Sequence, residues 1–244
     1  MAERIIWITP SAVTGPQRSY ERVTASLGGS ADVTLKALEV WDLQPDLPYD
    51  LQIEVEGVAR LASGLQMERF HLFGFSAGAT VALAAALSLG QTVQSVAVFE
   101  PATIGDDDWA PVEAEWRRKM ASVCQVLPPE ARPLAFAQTM LPEGASLPAD
   151  RSSSAPWTAR TDLLEGMLAH VGFTSDALAA ISAPALVITG GRSHPRFAHL
   201  ASRLMTVMQI GYRADFPTCS HLSPPMRDEP DHFARLLREL WEPG

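Results

Sequence analysis

Apolar positions along this chain fall into short continuous runs separated by stripes at helical spacing. Residues 5–8 form a run long enough for one buried strand, and Thr9-Pro10-Ser11 ends it. Tyr20, Val23 and Leu27 recur on one helical face, and Gly28-Gly29 stops that helix. Residues 33–40 read as a second strand. Leu51, Val55, Val58 and Ala62 then mark a second helix that ends near Gly64. A third strand at 70–73 leads into an alanine-rich helix-forming stretch that Gly90 closes, and 96–99 is a further buried strand ended by Glu100-Pro101. Short apolar strands alternating with helices predict a mostly parallel sheet covered on both faces.

The alternation stops at residue 102. From there to residue 183 the chain is helical in character and interrupted by prolines 128, 129, 133, 142, 148 and 156, with Arg151-Ser152-Ser153-Ser154 reading as a loop. Strand character resumes at 185–189. An amphipathic helix carrying Phe197, Leu200, Ala201 and Leu204 follows, then a last strand at 209–216. Pro230 opens a final helix with Phe233, Leu236, Leu237 and Leu240 inward. No internal repeat occurs. The predicted organisation is an α/β core from residues 1–101 and 184–244, with residues 102–183 inserted as a helical cap.

One pentapeptide turns this pattern into chemistry. Gly74-Phe75-Ser76-Ala77-Gly78 sits between the third strand and the alanine-rich helix, and G-x-S-x-G in that context is a nucleophile elbow. A serine on so sharp a turn crowds its neighbours, and glycine two residues to either side lets strand and helix pass closely. A hydroxyl is a poor nucleophile near neutral pH and needs a base, which needs a third group to fix its tautomer. Of the six histidines, His221 is placed best, in the turn-rich stretch Pro217-Thr218-Cys219-Ser220-His221 between the last strand and the last helix. For the acid, Glu100 is the first charged residue after Arg69 and ends the strand that follows the elbow helix. Asp106, Asp107 and Asp108 are nearby alternatives. The N–H of Ala77 is the first oxyanion donor. Pro10 has no N–H, so the second must come from Ser11 or Ala12.

The chain is 244 residues long, with a formal net charge of −9 and two cysteines. This length suits one α/β domain with a large core. The acidic balance argues against a nucleic-acid or anionic-membrane surface, and two cysteines make no disulfide framework. No apolar stretch reaches a membrane span, so a soluble, cytoplasmic protein is expected.

Together, these residues resemble the α/β-hydrolase superfamily over nearly the whole chain. The stretch from Pro184 to Gly191 is similar to the family's penultimate strand and turn. Many members carry their catalytic aspartate about three residues beyond that strand, where this chain has Ser193. Polyketide-synthase thioesterases and some haloalkane dehalogenases carry the acid at the end of the strand following the nucleophile helix, which is the place of Glu100. The elbow with its alanine-rich helix, and the stretch from Ala12 to Gln17 with Tyr20, also resemble those thioesterases, although they usually have aspartate as the acid. The resemblance implies a serine hydrolase acting on an ester or thioester, with a small-molecule acyl substrate, a carrier protein as a further partner, and no metal or organic cofactor. It leaves open a non-catalytic binding protein and non-hydrolytic chemistry, namely acyl transfer, cyclisation or cofactor-free oxygenation. His194, beside a proline, reads as a helix start, Cys219 as a buried filler, and tryptophans 109, 116 and 157 as cap core or pocket lining. Oligomeric state is not encoded in any of these features.

Overall fold

The computed structural model describes residues 2–10, 17–44, 46–105, 109–148 and 156–242, with the backbone alone for Gln17 and Arg18. Six parallel strands form one open sheet in the order β2-β1-β3-β4-β5-β6. They are β1 (Glu3–Thr9), β2 (Ala31–Ala37), β3 (Phe70–Phe75), β4 (Val93–Phe99), β5 (Ala185–Gly190) and β6 (Gly211–Phe216). Between them run α1 (Gln17–Leu27), α2 (Leu51–Gly64), α3 (Ala77–Leu89), α4 (Pro111–Gln125), α5 (Arg132–Thr139), α6 (Ala159–Ala169) and α7 (Pro195–Val207). The chain closes with α8 (Pro225–Asp228) and α9 (Pro230–Trp241). From β1 the chain steps outward to β2, then returns past β1 to β3. The carboxyl ends of β1 and β3 therefore flank a topological switch point, where open α/β sheets hold their ligands.

Alternation along the strands sorts the core into two layers. Ile6, Ile8, Leu72, Val96, Val98 and Val187 join one buried cluster with α2, α3 and α7. Ile5, Trp7, Phe73, Ala97, Phe99, Leu186 and Ile188 join the other with α1 and α9. Every residue of α3 from Ala77 to Ala86 is buried, so this helix is apolar all round, as a helix enclosed by its neighbours must be.

Most strands run one to three residues beyond the apolar stretches that predict them, β4 starting at Val93 rather than 96, while two strands stop or start short of the expectation. The second strand stops at Ala37 instead of reaching residue 40, because the chain turns into a short 3-10 helix, Glu39–Trp41. The buried Glu54 carboxylate accepts the Val40 N–H at 3.3 Å, and Trp41 Nε1 donates to the Pro10 carbonyl at 3.1 Å. Those bonds replace ladder pairing. The last strand begins at Gly211 rather than 209, and the Gln209 side chain instead donates through Nε2 to the Ala179 carbonyl, 2.9 Å away. The loop expected at 151–154 lies outside the described residues.

Helices α4, α5 and α6 all fall between β4 and β5. Trp116, Met120, Ala137, Met140 and Leu141 from α4, α5 and the turn after α5 pack on Phe197 and Leu222 of the core. Leu164, Met167 and Leu168 of α6 join the α2–α3 cluster instead, and Arg160 reaches the Leu43 carbonyl at 3.0 Å. A buried ion pair ties α4 to α7: Arg196 meets Glu113 through Nε–Oε2 at 2.7 Å and Nη2–Oε1 at 2.9 Å. Its guanidinium lies 3.6 Å from the Trp116 ring centre. Burial pushes the Glu113 carboxyl up, but Arg196 and Arg117 outweigh it and hold the group below its usual range. Removing one partner leaves the other charge buried and alone, so Glu113→Ala should cost about 3–5 kcal/mol, read as a lowered urea midpoint.

Glu165 on α6 behaves in the opposite sense. Burial pushes its carboxyl up to about 7, with Arg196 opposing and Asp162 adding to the rise. A folded acid that keeps its proton above the unfolded value stabilises the fold at low pH. That stability declines as pH climbs through the range in which the unfolded chain has ionised and the folded one has not. Glu165→Gln should therefore melt near wild type at pH 4.5 and several degrees above it at pH 8, an effect of about 2 kcal/mol. A melting difference independent of pH would refute this.

Candidate active site

Ser76 stands at the junction of β3 and α3 with φ 55° and ψ −121°, a left-handed conformation that a side chain tolerates only when its surroundings enforce it. They do so with four hydrogen bonds. The Ser76 N–H donates to Phe99 O at 3.0 Å, and its carbonyl accepts from Ala79, Thr80 and Ala102 N–H at 2.9, 3.2 and 3.1 Å. The flanking glycines make the turn possible. A Cβ on Gly74 would sit 2.6 Å from Ala79 Cα, and one on Gly78 would sit 2.8 Å from the Ile8 carbonyl carbon. Strand, helix and neighbouring strand thus touch backbone to backbone.

Glu100 follows β4 directly and is fully buried, also with positive φ, at 46°. Its N–H donates to Ile188 O at 3.2 Å. One carboxylate oxygen, Oε1, accepts the Gly190 N–H at 2.7 Å. The other, Oε2, lies 2.9 Å from Nδ1 of His221, a residue 121 positions away in sequence. A carboxylate only accepts, so Nδ1 carries the ring proton and Nε2 presents its lone pair. That Nε2 is 3.1 Å from Ser76 Oγ. Serine, histidine and glutamate thus form one continuous hydrogen-bonded line across the carboxyl ends of β3 and β4 and the loop after β6. The imidazole is 5% exposed and stacks on Phe197, with ring centres 4.6 Å apart and planes 9° apart.

The other sequence candidates fall as follows. The Ala77 N–H, at the first position of α3 and so at the helix's positive end, donates to no group among the described residues. Ser11 and Ala12 lie outside the described residues, as do Asp106, Asp107 and Asp108. His194 is the N-cap of α7, its Nδ1 accepting the Arg196 N–H at 3.2 Å. Cys219 is buried beside Glu229, and burial pushes its thiol up to about 12, which leaves it unreactive. Trp116 belongs to the packing between α4, α5 and α7, while Trp109 is stacked by Arg117 and Trp157 bonds to Asp162. Among the described residues no group of three or more His, Cys, Asp or Glu side chains converges as metal ligands would. A cleft of about 240 Å³ lined by Gly105, Trp109, Arg117 and Arg203 contains none of the three aligned residues.

Two supports of the histidine escaped the sequence reading. Ser193 fills the position of the missing aspartate, and its Oγ accepts the His221 N–H at 2.8 Å. The Phe197 ring, read as helix core, covers one face of the imidazole. Helical spacing marks Phe197 as an inward position without saying which neighbour it meets, and Ser193, in the turn before α7, carries no periodic signal at all.

This architecture has many counterparts. An alpha/beta hydrolase from Sphaerobacter thermophilus superposes with a TM-score of 0.66 at 22% identity, over 99% of this chain and 93% of that one. The meta-cleavage product hydrolase of Pseudomonas fluorescens gives 0.69 at 16% identity, over 98% and 90%. A membrane phospholipase A described as a bacterial virulence factor gives 0.67 at 18%, over 98% and 78%. These are likenesses of fold. No curated protein matches the sequence. The profile of the Alpha/beta hydrolase family, however, matches residues 23–236, from α1 to α9, a span that holds Ser76, Glu100 and His221. The chain belongs to the alpha/beta hydrolase family.

Proposed function

We propose that this protein is a serine hydrolase that cleaves a carboxylic ester or thioester through an acyl-enzyme on Ser76. The observation that carries the reading is the unbroken line from Ser76 Oγ through both nitrogens of His221 to Glu100. In it, His221 Nε2 takes the serine proton as Oγ attacks the acyl carbonyl. The resulting oxyanion is held by the Ala77 N–H and by that of Ser11 or Ala12. His221 then returns its proton to the leaving alcohol or thiol. In the second half it deprotonates water, which releases the acid and restores the serine. Glu100 keeps the Nδ1 tautomer and balances the imidazolium charge, and the Gly190 N–H on Oε1 keeps the carboxylate aimed at the ring.

Residues 102–183 act in this reading as the cap that selects the acyl group. The membership of the family and the hydrolases among its structural likenesses support hydrolysis as the reaction class. A thioester borne on a carrier protein is the variant that the likeness to polyketide-synthase thioesterases favours.

Intact-mass labelling with a fluorophosphonate tests the nucleophile. Wild type should gain one adduct, and Ser76→Ala and His221→Ala should gain none at matched times. A folded wild type that stays unlabelled at millimolar probe would end the proposal. For Glu100→Gln, the amide presents a donor to Nδ1 and favours the wrong tautomer. Its kcat on a p-nitrophenyl ester should fall about 10³–10⁴-fold with the fold intact. Retention of full activity would place the acid elsewhere.

A further inference from the structure

The turn after β5 has no acid, yet Gly191, Arg192 and Ser193 each bond to the segment from Phe216 to His221. The Gly191 N–H donates to Phe216 O at 2.9 Å and the Arg192 N–H to Cys219 O at 3.0 Å. A Cβ on Gly190 would lie 2.9 Å from Ser220 Cα, and one on Gly191 would lie 2.8 Å from Pro217 Cα. The two segments are therefore in backbone contact, and the Ser193 hydroxyl supplies the bond that ends on His221 itself. Ser193 is buried, and its own N–H is closed onto Gly190 O at 3.1 Å, so its Cα cannot drift. On the other side of the loop, Ser220 and Ser223 exchange two backbone hydrogen bonds of 3.0 Å each. That bridge curls residues 220–223 without reaching the His221 N–H.

We infer that Ser193 is a positioning residue for the catalytic base: its hydroxyl anchors the His221 main chain so that the imidazole spans Glu100 and Ser76. The inference rests on the proposed serine-hydrolase chemistry for its kinetic consequence, but its structural content stands apart from turnover. Charge explains why a hydroxyl suits this place. A second carboxylate beside the buried Glu100 would set two like charges at one imidazole, whereas a hydroxyl accepts the same N–H with no added charge. Without it, the His221 N–H is buried with no acceptor, and the loop gains by shifting to find one. The ring must bridge contacts of 2.9 and 3.1 Å at once, so a shift that favours either end opens the other.

The test uses the full chain as wild type, Ser193→Ala, Ser193→Thr and Ser193→Cys. Two readouts are taken: steady-state kinetics on p-nitrophenyl butyrate, and the proton NMR signal of the His221 Nδ1–H, assigned by its loss in Glu100→Gln. For Ser193→Ala, kcat should fall about 10–100-fold with KM within about twofold, the scale of a displacement near 1 Å. Its Nδ1–H signal should broaden or vanish. Ser193→Thr keeps the hydroxyl and should restore both, while Ser193→Cys, with a weaker acceptor, should fall between. If Ser193→Ala does not fold, the Thr and Cys variants still decide the matter, because a packing role would treat the near-isosteric Cys as wild type. Full kcat with an unchanged Nδ1–H signal in Ser193→Ala, or a Thr variant as impaired as Ala, would overturn the inference. If wild type neither turns over the ester nor takes the fluorophosphonate, the hydrolase reading fails. The NMR comparison then still upholds or rejects Ser193 as the anchor of His221.

Discussion

The first turn of α3 lies directly on the carboxyl ends of β1 and β3, with no room for a side chain at Gly74 or Gly78. Everything at that end of the sheet depends on this approach. It forces Ser76 into a left-handed conformation and lifts its hydroxyl clear of the strand. It also aims the start of α3 at the space above. Two of the four bonds that hold the strained residue come from β4 and from Ala102 just beyond it, so the elbow and the strand that leads to Glu100 are one unit. Glu100 inherits its position from that unit, and the β5 turn inherits its own from Glu100 through the Gly190 N–H.

Buried charge is handled locally throughout. Glu100 uses both oxygens, one on an N–H and one on His221. Glu113 meets two arginines, and Glu54 meets Tyr49, the Val40 N–H and Lys36. Each cluster fastens a loop or helix to the sheet near its carboxyl edge. The Arg196–Glu113 pair joins α4 to the start of α7, one residue before the Phe197 ring that covers His221. The Lys36–Glu54 cluster holds the short helix whose Trp41 caps the Pro10 carbonyl at the end of β1. The charges thus act as fixed points around a carboxyl edge that is otherwise made of loops.

Much of this was legible in one dimension, for reasons particular to each residue. The elbow could be read because G-x-S-x-G is a local steric requirement, set by five consecutive residues. The strands could be read because parallel strands are buried on both faces and appear as unbroken apolar runs. Glu100 stood out because a carboxylate ending such a run needs a reason to be buried. The strand end at Ala37 did not show, because Val40 is as apolar as a strand residue and is turned aside by Glu54, fourteen positions on. Ser193 showed only as an absence. A serine in a turn has no signature of its own, and its meaning lies in a backbone N–H 28 residues away.

By itself, the sequence determined the order of strands and helices, the serine that stands at the elbow, and which histidine and carboxylate were available to join it. These follow from local patterning and from the few places where polar groups interrupt apolar runs. Only the tertiary structure decided that Glu100 and His221 meet at 2.9 Å, that Phe197 lies flat on the imidazole, and that Ser193 holds its main chain. Such contacts depend on how far each strand carries its carboxyl end and on the angle at which each helix leaves the sheet. Those are properties of packed neighbours distant in sequence, and no stretch of the chain contains them alone.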